Sequence, residues 1–95
     1  MNKKTLENIL VLFGNETARC NFERLCREYY GERVRMEAAE AAGESIPNSR
    51  RGVIHDEIMA IVQKLFLRSI EVMPSRKEIG KMIMMHFRSE EYLYL

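Results

Sequence analysis

Residues 53–73, VIHDEIMAIVQKLFLRSIEVM, constrain this chain more than any other stretch. Thirteen of the 21 residues are apolar, and neither Gly nor Pro interrupts them. The run is long enough for roughly six helical turns. On a helical wheel Ile54, Ile58, Met59, Val62, Leu65, Phe66, Ile70, Val72 and Met73 fill one half, and Asp56, Glu57, Gln63, Lys64, Arg68 and Glu71 fill the other. An apolar face that wide needs more than one neighbour to cover it. The run therefore predicts a core helix over about 53–73, around which the rest of the chain packs.

The flanking segments supply the neighbours. Leu6, Ile9, Leu10 and Phe13 make an apolar stripe that predicts a first helix from about Asn2 to Phe13. Gly14 then stops that helix, and Asn15 caps the next. The second helix starts near Glu16, with Phe22, Leu25, Cys26 and Tyr29 on one face. Its second half, ERVRMEAAEAA, has such high helix propensity that the helix is expected to continue through Gly31 and end at Gly43. Residues 44–49 read as a loop, from which Asn48 or Ser49 can cap the core helix. Pro74 ends the core helix, and Ser75 with Glu78 forms a capping box for a fourth. Ile79, Met82, Ile83, His86 and Phe87 are its stripe. Short connections between four helices predict an all-α fold, a small antiparallel four-helix bundle forming a single domain over residues 1–95.

Charge narrows the partners without naming one. Fifteen Lys and Arg stand against 14 Asp and Glu, and both halves of the chain are balanced, so no strong electrostatic footprint for nucleic acid or anionic membrane shows in the totals. No stretch approaches the ~20 apolar residues of a membrane span. Lys3 and Lys4 precede only a short amphipathic run, unlike a signal peptide. Cys20 and Cys26, six apart on one helix, point in different directions and cannot bridge, which suggests a reducing compartment. A cytoplasmic protein is expected.

Apolar residues exceed what one bundle uses. Val11, Leu12, Met84, Met85, Tyr92, Leu93 and Tyr94 fall off the helical stripes. Monomers seldom expose a contiguous apolar patch, so a homodimer, or another protein partner, is expected to cover these residues. Protein–protein binding rather than catalysis is the principal functional expectation, with no cofactor.

Two further patterns carry alternatives. The segment Arg50-Arg51-Gly52-Val53-Ile54-His55 places an Arg and a His with four residues between them in a small helical chain. That pair resembles the motif of the HEPN endoribonucleases. The resemblance implies a dimer-interface site where His55 assists attack of an RNA 2′-hydroxyl on phosphorus and Arg50 steadies the charge that develops. Read from the wheel alone, His55 instead lies in the apolar half, as a half-buried ring bonded to a main-chain carbonyl. The second pattern is basic: a row of Arg76, Lys77, Lys81 and Arg88 on the fourth helix, with Lys64 and Arg68 on the core helix, would contact phosphates in a nucleic-acid-binding module. A metal site is not expected. In a tight hairpin His55 and His86 stand roughly 10 Å apart along the axis, and no carboxylate or thiolate cluster joins them.

Overall fold

In the computed structural model, which describes residues 5–46 and 49–93, with side chains to residue 90, every regular element is helical. Among the described residues four helices are formed: α1 (Leu6–Leu10), α2 (Glu16–Ala41), α3 (Arg51–Phe66) and α4 (Arg76–Leu93). The protein is a small all-α helical bundle.

Local capping sets several of the boundaries. Thr5 caps α1 by accepting from the Asn8 amide at 3.3 Å, and the helix gives way to a turn at Val11 and Leu12. The residues expected to begin that helix, from Asn2, lie outside the described residues. Asn15 accepts from the Ala18 amide at 2.9 Å, as a cap should. α2 then runs unbroken through Gly31 to Ala41, and Gly43 follows with φ 74°. That left-handed conformation is open to glycine without the Cβ penalty, which is why the helix stops there. At α4 the capping box is reciprocal: Glu78 N donates to Ser75 Oγ and Ser75 N donates to Glu78 Oε1, both at 3.1 Å. Asn48 lies outside the described residues. Ser49 accepts from the Arg51 amide at 3.3 Å, and its hydroxyl donates to Glu32 Oε2 at 3.3 Å, tying the start of α3 to α2.

The largest departure from expectation is the end of α3. The core helix stops at Phe66, not Met73. Arg76, the first residue of α4, lies against Gly52, His55 and Asp56 in the first turns of α3. Between His55 and Phe66 the helix rises by roughly 16 Å. The connection has to cover that length in the opposite direction, which nine helical residues cannot do and nine extended ones can. Local chemistry agrees. The Ser69 hydroxyl accepts the Glu71 amide at 3.0 Å, diverting it from a helical partner, and Ile70 and Val72 are β-branched. Ile70 and Val72, expected in the apolar half, are 103% and 89% exposed.

The core draws on all four helices. Leu6 and Ile9 of α1, Phe22, Leu25, Cys26 and Tyr29 of α2, Ile54, Ile58 and Val62 of α3, and Ile79, Met82, Ile83 and Phe87 of α4 are buried together. α2 and α3 run antiparallel: Met36 and Glu32 lie near Ser49, and Tyr29 lies against His55. No residue of α2 beyond Tyr30 is fully buried, so its C-terminal turns project past the core as a wall. Burial pushes the Cys26 thiol far above its ordinary pKa, with the nearby Glu23 charge adding to it, so the thiol behaves as a small apolar side chain.

Candidate functional site

The projecting half of α2, the first turns of α3 and the exposed edge of α4 enclose a cleft of about 640 Å³. Each helix contributes residues spaced three or four apart, so that they share a face. From α2 come Tyr29, Arg33 and Glu37; from α3, Arg51 and His55; from α4, Arg76, Lys77, Gly80, Lys81, Met84, Met85 and Arg88. Six of these are cationic, and Glu37 is the one acidic lining residue. A chain whose formal net charge is only +1 thus gathers six of its 15 Lys and Arg around one concavity.

The cations are held in different ways. Arg76 is paired with Asp56 and reaches toward the Gly52 carbonyl. Glu37 bridges two helices, with Arg88 at 3.3 Å and Arg33 at 3.8 Å. Arg33 also donates to the Tyr29 hydroxyl at 3.0 Å. Arg51, Lys77 and Lys81 have no acidic partner among the described residues. These three remain available to an anion without breaking an internal pair.

The floor is closely packed. The Tyr29 ring meets the His55 ring edge-on at 4.9 Å between centroids. Gly80 allows α4 to come this near: a Cβ there would lie 2.9 Å from the Tyr29 hydroxyl and 3.6 Å from His55 Cε1. His55 is 4% exposed, and its Nε2–H donates to the Arg76 carbonyl at 3.0 Å, the main-chain bond expected from its place on the wheel. Burial, then the charges of Arg76 and Arg51, hold its pKa below the ordinary histidine value. At pH 7 the ring is neutral.

The residues singled out from sequence fall into separate places. Arg76, Lys77 and Lys81 line the cleft, whereas Lys64 and Arg68 do not. Arg50 lies apart from His55, in a different depression with Glu28, Glu32, Arg35 and Ile54, so the ribonuclease-like pair does not converge within one chain. The residue that joins His55 is Arg51, one turn earlier on the same face. Arg88, part of the expected basic row, lines the cleft with Arg76, Lys77 and Lys81, whereas Arg33 was not among the expected phosphate contacts. The signal that finds Arg33 is the row Tyr29, Arg33, Glu37 on α2.

The apolar residues divide as well. Val11, Leu12 and Met85 are exposed as expected, but Met84 is buried, at 7%. Its neighbours Met82 and Ile83 are buried too, so in the run Met82-Ile83-Met84-Met85 it is Met85 alone that faces out. The side chains of Tyr92, Leu93 and Tyr94 lie outside the described residues. Leu67, Ile70 and Val72 add exposed apolar area. Of these, Ile70 and Val72 line a second groove of about 400 Å³ with Leu12, Phe66 and Met82. His86 is mostly buried and pairs with Glu90 at 3.3 Å.

The fold and the cleft define a small all-α protein with a cationic concavity. No family model matches the chain, and no curated protein or solved structure matches it either. Among the described residues no helix is long and apolar enough to cross a membrane.

Proposed function

We propose that the protein is a binding module for phosphate-bearing polyanions, with a nucleic-acid strand as the ligand of its cleft. The observation that carries this reading is the convergence of Arg33, Arg51, Arg76, Lys77, Lys81 and Arg88 from three helices. Concentrating like charges against a low-dielectric wall costs folding energy, and a ligand that supplies several phosphates recovers it. The cleft volume suits a ligand of a few nucleotides. The aromatic rings at its floor are buried, so contacts with the strand's backbone rather than base stacking carry the affinity. Two unbridged cysteines agree with a reducing, cytoplasmic setting.

The test is titration of a fluorescent single-stranded oligonucleotide followed by anisotropy at several salt concentrations. Three cations without acidic partners give a slope of log affinity against log salt of about −2, and use of all six gives about −4. Lys77→Glu with Lys81→Glu weakens binding by roughly tenfold or more, since two attractive contacts become repulsive. Salt-independent binding, or binding untouched by that double reversal, would remove the reading.

A second activity is supported by a separate observation. Val11, Leu12, Ile70, Val72 and Met85 are exposed apolar side chains, and we infer that self-association covers them.

A further inference from the structure

Glu37 stands where a ligand anion would. It is the one acidic residue lining the cleft, and its two oxygens face guanidiniums from two different helices. Oε2 accepts from Arg88 of α4 at 3.3 Å, and Oε1 lies 3.8 Å from Arg33 of α2. To a guanidinium, a carboxylate and a phosphate present the same feature, paired oxygens that share negative charge. Arg33 is also placed without Glu37, since it donates to the hydroxyl of buried Tyr29 at 3.0 Å. The two contacts to Glu37 are loose. Charge-assisted bonds close to about 2.7–2.9 Å, and both distances here are longer. All three side chains are between a third and a half exposed, where an ion pair contributes little to stability. As a brace between α2 and α4 the bridge therefore does little. As a charge inside the cleft it acts on every incoming phosphate.

We propose that Arg33 and Arg88 form a phosphate subsite that the chain fills with its own Glu37, so that this carboxylate limits how much of a strand the cleft holds. This rests on the reading of the cleft as a phosphate-binding site. Arg51, Lys77 and Lys81, which have no acidic partner among the described residues, take the strand's phosphates unopposed. Arg88 stands two turns beyond Lys81, roughly 10 Å along α4. A strand running on past Lys81 comes to two guanidiniums already neutralised in part, with a like charge between them. Asp56, the partner of Arg76, does not line the cleft, so Glu37 is the acid that a bound strand has to face.

The experiment titrates wild type and Glu37→Gln with single-stranded oligonucleotides of increasing length at several salt concentrations. Glutamine keeps the size and removes the charge. The wild type is expected to show the three-cation slope of about −2. Glu37→Gln is expected to bind roughly fivefold tighter or more, and to steepen the slope by about 1.4 as two guanidiniums are freed. It should also keep gaining affinity with strand length after the wild type has levelled off. Glu40→Gln removes an equal charge from an exposed position of α2 outside the cleft, and should change neither slope nor length dependence. In an Arg33→Gln, Arg88→Gln background, Glu37→Gln should leave the slope unchanged, because no guanidinium remains to be freed. A wild-type slope already at about −4 overturns the assignment. So does an equal effect from Glu40→Gln, or a folded Glu37→Gln variant that binds no tighter than wild type or keeps its slope. In each of these cases the phosphate cleft stands and only the Glu37 subsite falls. Binding by Glu37→Gln but not by wild type supports the assignment, and if neither binds a strand at any salt concentration, both readings fall together.

Discussion

His55 ties stability to pH through a single ring. In the unfolded chain its pKa returns to the ordinary value near ~6.5. In the fold, burial and the charges of Arg76 and Arg51 lower it, against a smaller opposing pull from Asp56 and the Arg76 carbonyl. Above both values the ring is neutral in either state and contributes no pH dependence. Below the unfolded value the unfolded chain takes up a proton that the folded chain refuses, so stability falls as pH falls. Urea midpoints are expected to drop from about pH 7 toward about pH 5, above the range where most carboxylates titrate. His55→Leu should lower stability at neutral pH, where the Arg76 bond is lost, yet flatten this slope. A wild-type midpoint that holds steady across the window would contradict the buried, neutral ring. Gly80 makes a second demand at this scale. Tyr29 is almost wholly buried, so its hydroxyl cannot swing clear of a Cβ 2.9 Å away. Gly80→Ala gains helix propensity but overpacks the floor, for a net loss of about 1 kcal/mol. Thermal unfolding should register this as a drop of about 4–8 °C.

Gly31, by contrast, belongs to the element that carries it. It sits mid-way along α2 with nothing within 4 Å of a Cβ, so only the entropy of the unfolded chain is at stake. Gly31→Ala is expected to stabilise by about 0.5–1 kcal/mol and to raise the melting temperature by a few degrees. A loss instead would mean that α2 is bent or broken there. That helix was legible from its residues because its signals are local: Asn15 reaches an amide three residues on, and Gly43 takes the left-handed turn. The capping box at Ser75 and Glu78 was legible for the same reason. The end of α3 was not. Residues 67–73 keep the apolar pattern of a helix, and what undoes it is a demand from elsewhere, that Arg76 reach the first turns of α3. The cleft was legible only in part. Arg76, Lys77 and Lys81 form a row on one helix, but that Arg33 and Arg51 face the row, while Lys64 and Arg68 do not, depends on how three helices are rotated against one another. A wheel drawn for one helix carries no such information.

On the scale of the whole molecule, charge and apolar area are sorted onto different parts of the surface. Six cations collect where α2 overhangs α3 and α4, and five of the exposed apolar side chains, Val11, Leu12, Leu67, Ile70 and Val72, lie in the turn after α1 and in the α3–α4 connection. Met85 lines both the basic cleft and a smaller depression beside α1. If self-association covers the apolar region, two copies would present two basic clefts to one strand and would gain affinity through effective concentration, with no new contact to the ligand. Ile70 and Val72 separate this from folding, because both are already fully or nearly fully exposed. Replacing them with Ser removes apolar area from a dimer contact but little from the core, so the monomer's stability should change by less than about 0.5 kcal/mol. Sedimentation equilibrium is expected to show a wild-type mass that rises with concentration and an Ile70→Ser, Val72→Ser variant that stays at the monomer mass. Oligonucleotides long enough to span two clefts should then lose more affinity in that variant than short ones. A wild-type protein that remains monomeric at all concentrations would leave the exposed apolar residues to some other partner and would take the two-cleft gain away with the dimer.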